Sequence, residues 1–195
     1  MVIGVTGIYC SGKNYVSRII SEYGFKIIDV DEIGHLALEV KRDEIVKEFG
    51  TEILEENHGE KRKISRGKLG KIVFFDPEKL DRLEKIVHPW MIKEVKRRVY
   101  EYENSVVNAA LLIEMCLFVL CDYVIGIDVD IDIAIERAML RDDLTRHEAE
   151  LRIRRQISLK EKKHYVDIVI DNNGTIDDLR LSILEYLTKL GIKVK

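Results

Sequence analysis

Neither sign of charge dominates this chain. Its 32 Lys and Arg against 35 Asp and Glu leave a formal charge of -3, which excludes a protein whose main work is coating nucleic acid, because that calls for a strongly basic face. A long uninterrupted apolar run is also missing: residues 106–129 come nearest, but Glu114 and Asp122 break the stretch, so it falls short of a membrane span. Cysteine is scarce. Cys10, Cys116 and Cys121 are odd in number and lack the spacing of a zinc site, so reduced thiols are expected. The first residues have no basic leader and no small-residue cleavage site. Together these absences lead us to expect a cytoplasmic protein with no membrane and no nucleic-acid partner. No repeat or low-complexity segment stands out, and 195 residues, 46% hydrophobic, suffice for one compact core with a small insertion.

What is present alternates between strand and helix signals. Val2 to Thr6 is a short β-rich run, followed by a glycine loop and an apolar stripe at Val16, Ile19 and Ile20 with helical spacing. Phe25 to Val30 is read as a second, largely apolar strand that ends in the acidic step Asp29, Val30, Asp31, the kind buried on both faces in parallel sheets. From Asp31 to Asn104 strand signals vanish and charged helix formers take over. Ser65 is placed to cap a helix through Phe74, Asp76 and Pro77 start another through Val87, and Pro89 starts a third. Glu55 to Lys63 reads as an exposed turn. Strand signals return at Ser105 to Ala109, Tyr123 to Val129 and Asp167 to Ile170. Helices are expected at Asp132 to Arg141, Thr145 to Gln156, Ser158 to Tyr165 and, behind a Thr175/Asp178 capping box, at the end. The alternation predicts a three-layer α/β fold on a mostly parallel sheet.

Chemistry concentrates at strand ends. GIYCSGKN, residues 7–14, meets the phosphate-loop pattern at Gly7, Gly12 and Lys13. Such a loop turns backbone N–H groups toward one point at a helix N-terminus, and Lys13 adds a mobile charge for the outer phosphates. Asn14 stands where the pattern has a hydroxyl for magnesium. Its amide oxygen is an allowed ligand, or the side chain caps the first helical turn; both readings stay open. Asp31 ends the second strand, with Asp29 on the same side by period-two alternation. A carboxylate there can orient and deprotonate a hydroxyl or hold magnesium through water, and it can equally cap the next helix. Arg137, Arg141, Arg146, Arg152, Arg154 and Arg155, interleaved with acids, form either a flap over a nucleotide or a solvated mixed-charge face. His88 is a substrate contact or a core residue, Trp90 reads as core, and Cys10 reads as a small filler of a tight turn.

These residues sit in segments that resemble the dephospho-coenzyme A kinase family: IGVTG-x-x-x-SGK at 3–13, IDVDEIGH at 28–35, RGKLGKIVF at 66–74, EKIVHPWM at 84–91, LLIE at 111–114, RDDLT at 141–145 and VIDNNG at 169–174. The likeness spans nearly the whole chain. It implies a P-loop kinase fold with a five-stranded parallel sheet in order 2-3-1-4-5. The nucleotide-binding core would be 1–31 plus 105–195, with a helical substrate insertion at 32–104 and a lid at 141–157. It also implies transfer of phosphate from ATP, with Mg2+, to the ribose 3'-hydroxyl of dephospho-coenzyme A, by a monomer or weak homo-oligomer. By position, the catalytic residues would be Lys13, Asp31 and Arg141. ATP would be held by Gly7, Cys10, Ser11, Gly12, Lys13, Asn14, Tyr15, Arg137, Arg141, Asn172 and Asn173, the last two near adenine. The substrate would be held by Asp31, His35, His88 and Glu114, and the metal by Asn14 and, through water, Asp31.

The chain departs from the family pattern at Asn14 for serine or threonine, at Tyr15 for a small residue and at Ala110 for proline. These changes bear on metal handling more than on the acceptor. Taken alone, Asn14→Ser is expected to raise activity or tighten magnesium dependence. The alternatives are a nucleotide-binding protein with impaired catalysis and a small-molecule kinase for another acceptor.

Overall fold

The computed structural model describes residues 1–56, 62–74, 76–154 and 156–194. It divides into two units, Met1–Asp29 with Arg98–Lys195, and Val30–Arg97. The first carries a five-stranded sheet of β1 (Val2–Gly7), β2 (Lys26–Asp29), β3 (Ser105–Asn108), β4 (Tyr123–Asp128) and β5 (Ile168–Asp171). The order is β2-β3-β1-β4-β5 and every pairing is parallel, the arrangement the resemblance implies. The inner strands β1, β3 and β4 are mostly buried, as strands covered by helices on both faces are; β2, expected to be buried on both faces, is an edge strand that exposes Lys26 and Ile27. Register aligns Asp29 with Asn108, Asn108 with Val5, and Asp128 with Asp171, so polar side chains gather along one edge, the carboxyl ends of the strands.

Helix α1 (Lys13–Ser21) leaves the loop after β1, and its stripe of Val16, Ile19 and Ile20 is fully buried. Each such side chain contributes about 1.5–3 kcal/mol. The stripe packs in one cluster with Ile3, Val5, Ile125 and Ile183, the last from the closing helix α9 (Ile176–Lys189). That helix opens on the expected reciprocal cap of Thr175 and Asp178. Helices α6 (Ile131–Asp142) and α7 (Arg146–Arg154) bury a smaller cluster of Val129, Ala134, Ile135, Ala138, Ala149 and Ile153, against which the loop residues Ile8, Tyr9 and Cys10 pack. A short helix, α8 (Leu159–Lys162), follows. All three cysteines are free thiols, and burial pushes the Cys121 thiol up to about 12.

The second unit is helical: α2 (Val30–Val40), α3 (Arg42–Phe49), α4 (Arg66–Val73) and the greater part of α5 (Pro77–Glu101). Ser65 caps α4 through the Lys68 N–H, and Asp76 accepts from the N–H groups of Glu78 and Lys79 at the start of α5. Leu54 bridges Ile64, and the Glu55 N–H reaches the Lys63 carbonyl. The centre of the turn expected between them, with Asn57 and Gly59, lies outside the described residues.

Two expectations fail here. The separate helices to Val87 and from Pro89 are one 25-residue helix with Pro89 inside it. An interior proline loses one hydrogen bond and crowds the preceding turn, costing roughly 3 kcal/mol. The buried stripe Leu83, Val87, Met91, Val95 and Val99 runs through on both sides of Pro89 and offsets that cost. The strand expected to reach Val30 stops at Asp29, and Val30 already belongs to α2. The period-two argument pairing Asp29 with Asp31 therefore lapses. Among the described residues no helix is long and apolar enough to cross a membrane.

Candidate active site

The site starts with two glycines that nothing larger can replace. A Cβ on Gly7 would lie 2.5 Å from Ser11 Oγ and 2.6 Å from the Ile127 carbonyl oxygen. Gly12 has φ 101°, a left-handed conformation that favours glycine, and a Cβ there would collide with the Asn172 amide nitrogen. The chain thus turns tightly into α1, whose N-cap Gly12 offers no side-chain cap. The Tyr15 and Val16 N–H groups turn back to the Gly12 carbonyl, and the positive end of the helix dipole at this turn favours an anion. Lys13 is 7% exposed, and its Nζ donates to the Gly7 and Ile8 carbonyls at 3.2 and 2.9 Å. Folded back on its own loop, the charge is held over the cradle.

Asn172 lies under the phosphate loop. It is buried, its Nδ2 donates to the Ser11 carbonyl at 2.7 Å, and its own carbonyl accepts from Arg137 at 3.2 Å. It braces the floor of the loop. Its neighbour Asn173 is exposed and accepts from the Asp130 N–H. Tyr15, half-buried, packs against the main core cluster.

The arginines sort by partner. Arg141 grips Asp142, with Nη2 2.8 Å from Oδ2, and lies over the Tyr9 ring at 4.9 Å. That contact holds the Asp142 carboxyl below its ordinary range. The Tyr9 hydroxyl donates to Asp142 and accepts from Arg152 at 2.9 Å, and the Tyr9 N–H donates to Gln156 at 2.7 Å. Burial, then Asp142, pushes the Tyr9 phenol up. Arg137, Arg141 and Arg152 thus attach to the phosphate loop or to its brace. Arg146 instead pairs with Asp132 and Glu150 on the surface, as a solvated mixed-charge face does. Arg155 lies outside the described residues. Cys10 has φ 61°, and burial raises its thiol pKa, which disfavours the reactive thiolate and suits the filler reading.

Asn14 is not the helix cap, since that position is Gly12. Its Oδ1 accepts from Asn108 Nδ2 at 2.8 Å, and the same Nδ2 lies 3.3 Å from Asp29 Oδ2. Sequence reasoning passed over Asn108, Tyr9 and Gln156. Asn108 carried one signal: a polar residue ending an apolar strand, where ligands bind in such sheets. Glu114 is tied inward. Its Oε1 lies 3.1 Å from Lys162 Nζ and accepts from the Ile157 N–H at 3.1 Å. A cavity of about 840 Å³ opens at the carboxyl end of β4, walled by Ile8, Ile127, Val129, Ile135, Ile153 and Leu159.

In the helical unit, Asp31 is exposed and falls within the first turn of α2 instead of capping it, where the dipole favours an acid. His35 is exposed, and Arg66 Nη1 approaches its Nε2 at 2.8 Å, so two of the diagnostic segments meet. His88 is half-buried in α5, and burial lowers its pKa. Among the described residues no three His, Cys, Asp or Glu side chains cluster as a metal cage.

A glycine cradle at a helix N-terminus, a lysine held over it and arginines drawn to its rim define a P-loop phosphotransferase. The sequence profile of the dephospho-CoA kinase family matches residues 1–178. The dephospho-CoA kinase of Carboxydothermus hydrogenoformans is 40% identical over 96% of this chain and 93% of its own. Among solved structures, TT1252 from Thermus thermophilus superposes with a TM-score of 0.80 at 26% identity, covering 97% of each chain. The dephospho-CoA kinase from Campylobacter jejuni gives 0.71 at 28%, covering 97% of this chain and 96% of its own. The chain belongs to the dephospho-CoA kinase family and is an ATP-dependent kinase of coenzyme A biosynthesis.

Proposed function

We propose that this chain moves the γ-phosphoryl group of ATP to the ribose 3'-hydroxyl of dephospho-coenzyme A, yielding coenzyme A and ADP. The observation that carries the assignment is the loop at Gly7–Lys13, with Lys13 over it and Arg137 and Arg141 at its edge, in a chain of this family. Phosphoryl transfer needs little covalent help from protein, so positioning and charge neutralisation supply most of the rate. Loop N–H groups hold the phosphates and Lys13 meets the transferring group. Asp31 takes the hydroxyl proton as oxygen attacks phosphorus, and the bond to the β-phosphate oxygen breaks with its electrons leaving on ADP. Arg141 leaves Asp142 for phosphate oxygens, which its planar fork fits equally well.

The nucleotide would be held by residues 1–31 and 105–195, dephospho-coenzyme A by 32–104 with His35 and His88, and the lid would be 141–157. Magnesium fits the donors present. A carboxamide oxygen has two lone pairs, and Asn108 engages one of those on Asn14; Asp31 would add a carboxylate through water. Bound there, the ion would neutralise charge on the β- and γ-phosphate oxygens.

The test is ADP release with dephospho-coenzyme A as acceptor and magnesium present. Asp31→Asn is expected to lower kcat by about 10²–10⁴ while ATP binding by calorimetry persists. No turnover by the wild type, or turnover only with another acceptor in a panel, refutes the assignment.

A further inference from the structure

We propose that Asn108 is a positioning residue for the metal–nucleotide site, acting through Asn14, and that the two asparagines form one unit whose members cannot be exchanged singly. The inference rests on the reading that magnesium and ATP meet at the phosphate loop. P-loop enzymes hold magnesium with the hydroxyl after the loop lysine and a second, strand-borne carboxylate. Here the residue after Lys13 is Asn14, and the strand-borne side chain touching it is Asn108, the last residue of β3. Both positions are amides.

The orientation of the pair follows from Asp29. An ionised carboxylate can only accept hydrogen bonds, so Asn108 must turn its Nδ2 toward Asp29 Oδ2 at 3.3 Å. The second hydrogen of that NH2 then faces Asn14, which must present oxygen, as it does at 2.8 Å. Flipping either amide sets acceptor against acceptor or donor against donor. Asn108 is 4% exposed and its Oδ1 is buried without a hydrogen-bond partner. An orphaned polar atom in a native structure calls for a reason, and this one has it: the amide is committed to directing its two hydrogens. A hydroxyl at position 14 would donate its proton to a carboxylate opposite. Here the polarity is reversed, the strand residue donating and the loop residue accepting, so the Asn14 oxygen keeps one lone pair and a fixed direction.

Exchange at one position therefore breaks the relay. Asn14→Ser leaves a short hydroxyl opposite an NH2, and Asn108→Asp sets a carboxylate against the Asn14 oxygen, acceptor facing acceptor. The double variant Asn14→Ser/Asn108→Asp restores a hydroxyl–carboxylate pair. Contrary to the single-site expectation, Asn14→Ser alone should weaken magnesium-dependent nucleotide binding.

The experiment is a double-mutant cycle on the full chain. ATP binding is measured by calorimetry with magnesium and with EDTA, and Mn2+–nucleotide binding is followed by electron paramagnetic resonance, with thermal unfolding as the folding control. Each single variant, and Asn14→Ala at an exposed position where folding is safe, should weaken metal-dependent binding about tenfold with little change in EDTA. The double variant should return to within about threefold of wild type. Losses that simply multiply in the double variant overturn the proposal, as does an Asn14→Ser protein that binds Mg–ATP as well as or better than wild type. ATP binding that is the same with and without metal in every variant also overturns it. A wild type that binds no ATP overturns both this inference and the functional assignment.

Discussion

Replacing Lys162 with methionine tests whether a buried charge holds the segment that follows the lid. Lys162 is 1% exposed, with Nζ 2.6 Å from the Ala110 carbonyl oxygen and 3.1 Å from Glu114 Oε1. Glu114 is 19% exposed, and its Oε2 is buried without a partner. Methionine fills much of the same space without the ammonium, so packing is largely kept and the electrostatic loss is isolated. A carboxylate is then stranded in a nearly dry site and a carbonyl loses its donor. Breaking a buried pair from one side costs about 3–5 kcal/mol, a large share of the roughly 5–15 kcal/mol that holds a typical domain. At roughly 2–4 °C per kcal/mol for a chain of this size, Tm should fall by roughly 6–20 °C. Adding Glu114→Gln removes the stranded charge and should recover about 2 kcal/mol of the loss.

The pH profile is a second readout of the same pair. Burial, only partly opposed by Glu114, lowers the Lys162 pKa. Between that lowered value and the ordinary lysine value of about 10.4, the unfolded chain binds more protons than the folded one. Wild-type stability should therefore gain from this group as pH rises through that window, a gain that Lys162→Met abolishes. Urea unfolding of wild type, single and double variants between pH 7 and 10.5 measures both effects. A Lys162→Met protein within 0.5 kcal/mol of wild type (roughly the scatter of a surface change), or a double variant no more stable than the single, refutes the reasoning.

Two further perturbations address the lid and the helical unit. Tyr9→Phe removes the hydroxyl that links Asp142 to Arg152 but keeps the ring beneath Arg141. Stability should drop by about 1 kcal/mol and ATP binding should weaken severalfold, whereas Tyr9→Ala should lose more of both; equal losses would remove the hydroxyl from the account. For His88, burial lowers the pKa, so the unfolded chain binds more protons between that value and about 6.5. Wild-type stability should fall as pH drops through this window. His88→Gln should show a shallower fall in urea midpoints from pH 7.5 to 5, and an identical slope would contradict it.

The sheet was legible because its strands are short, mainly apolar and separated by helical stripes, a pattern that local sequence carries. Strand order was not in that pattern; it came with the family resemblance. Pro89 misled because the breaker rule is local, while the stripe that carries α5 past it spans Leu83 to Val99. Asp31 was misplaced by a single residue: an apolar run into Val30 cannot show where extended backbone gives way to helix, and the side-chain directions inferred from alternation went with it.

The site divides along the same line. Gly7, Gly12 and Lys13 are neighbours in sequence, and their cradle could be read from spacing. What holds the cradle is distant: Asn172 reaches Ser11 across 161 residues, Arg152 reaches Tyr9 across 143 and Asn108 reaches Asn14 across 94. Isolated from Asn108, Asn14 looks like a lost hydroxyl that serine would repair. Beside Asn108, whose amide is already oriented by Asp29, the same serine is too short to take up the NH2 that the asparagine oxygen reaches. The sign of the expected effect thus turns on a contact that no local pattern contains: a polar substitution in a hydrogen-bond network is judged by whether it reaches the group its partner offers, not by the residue a motif prefers.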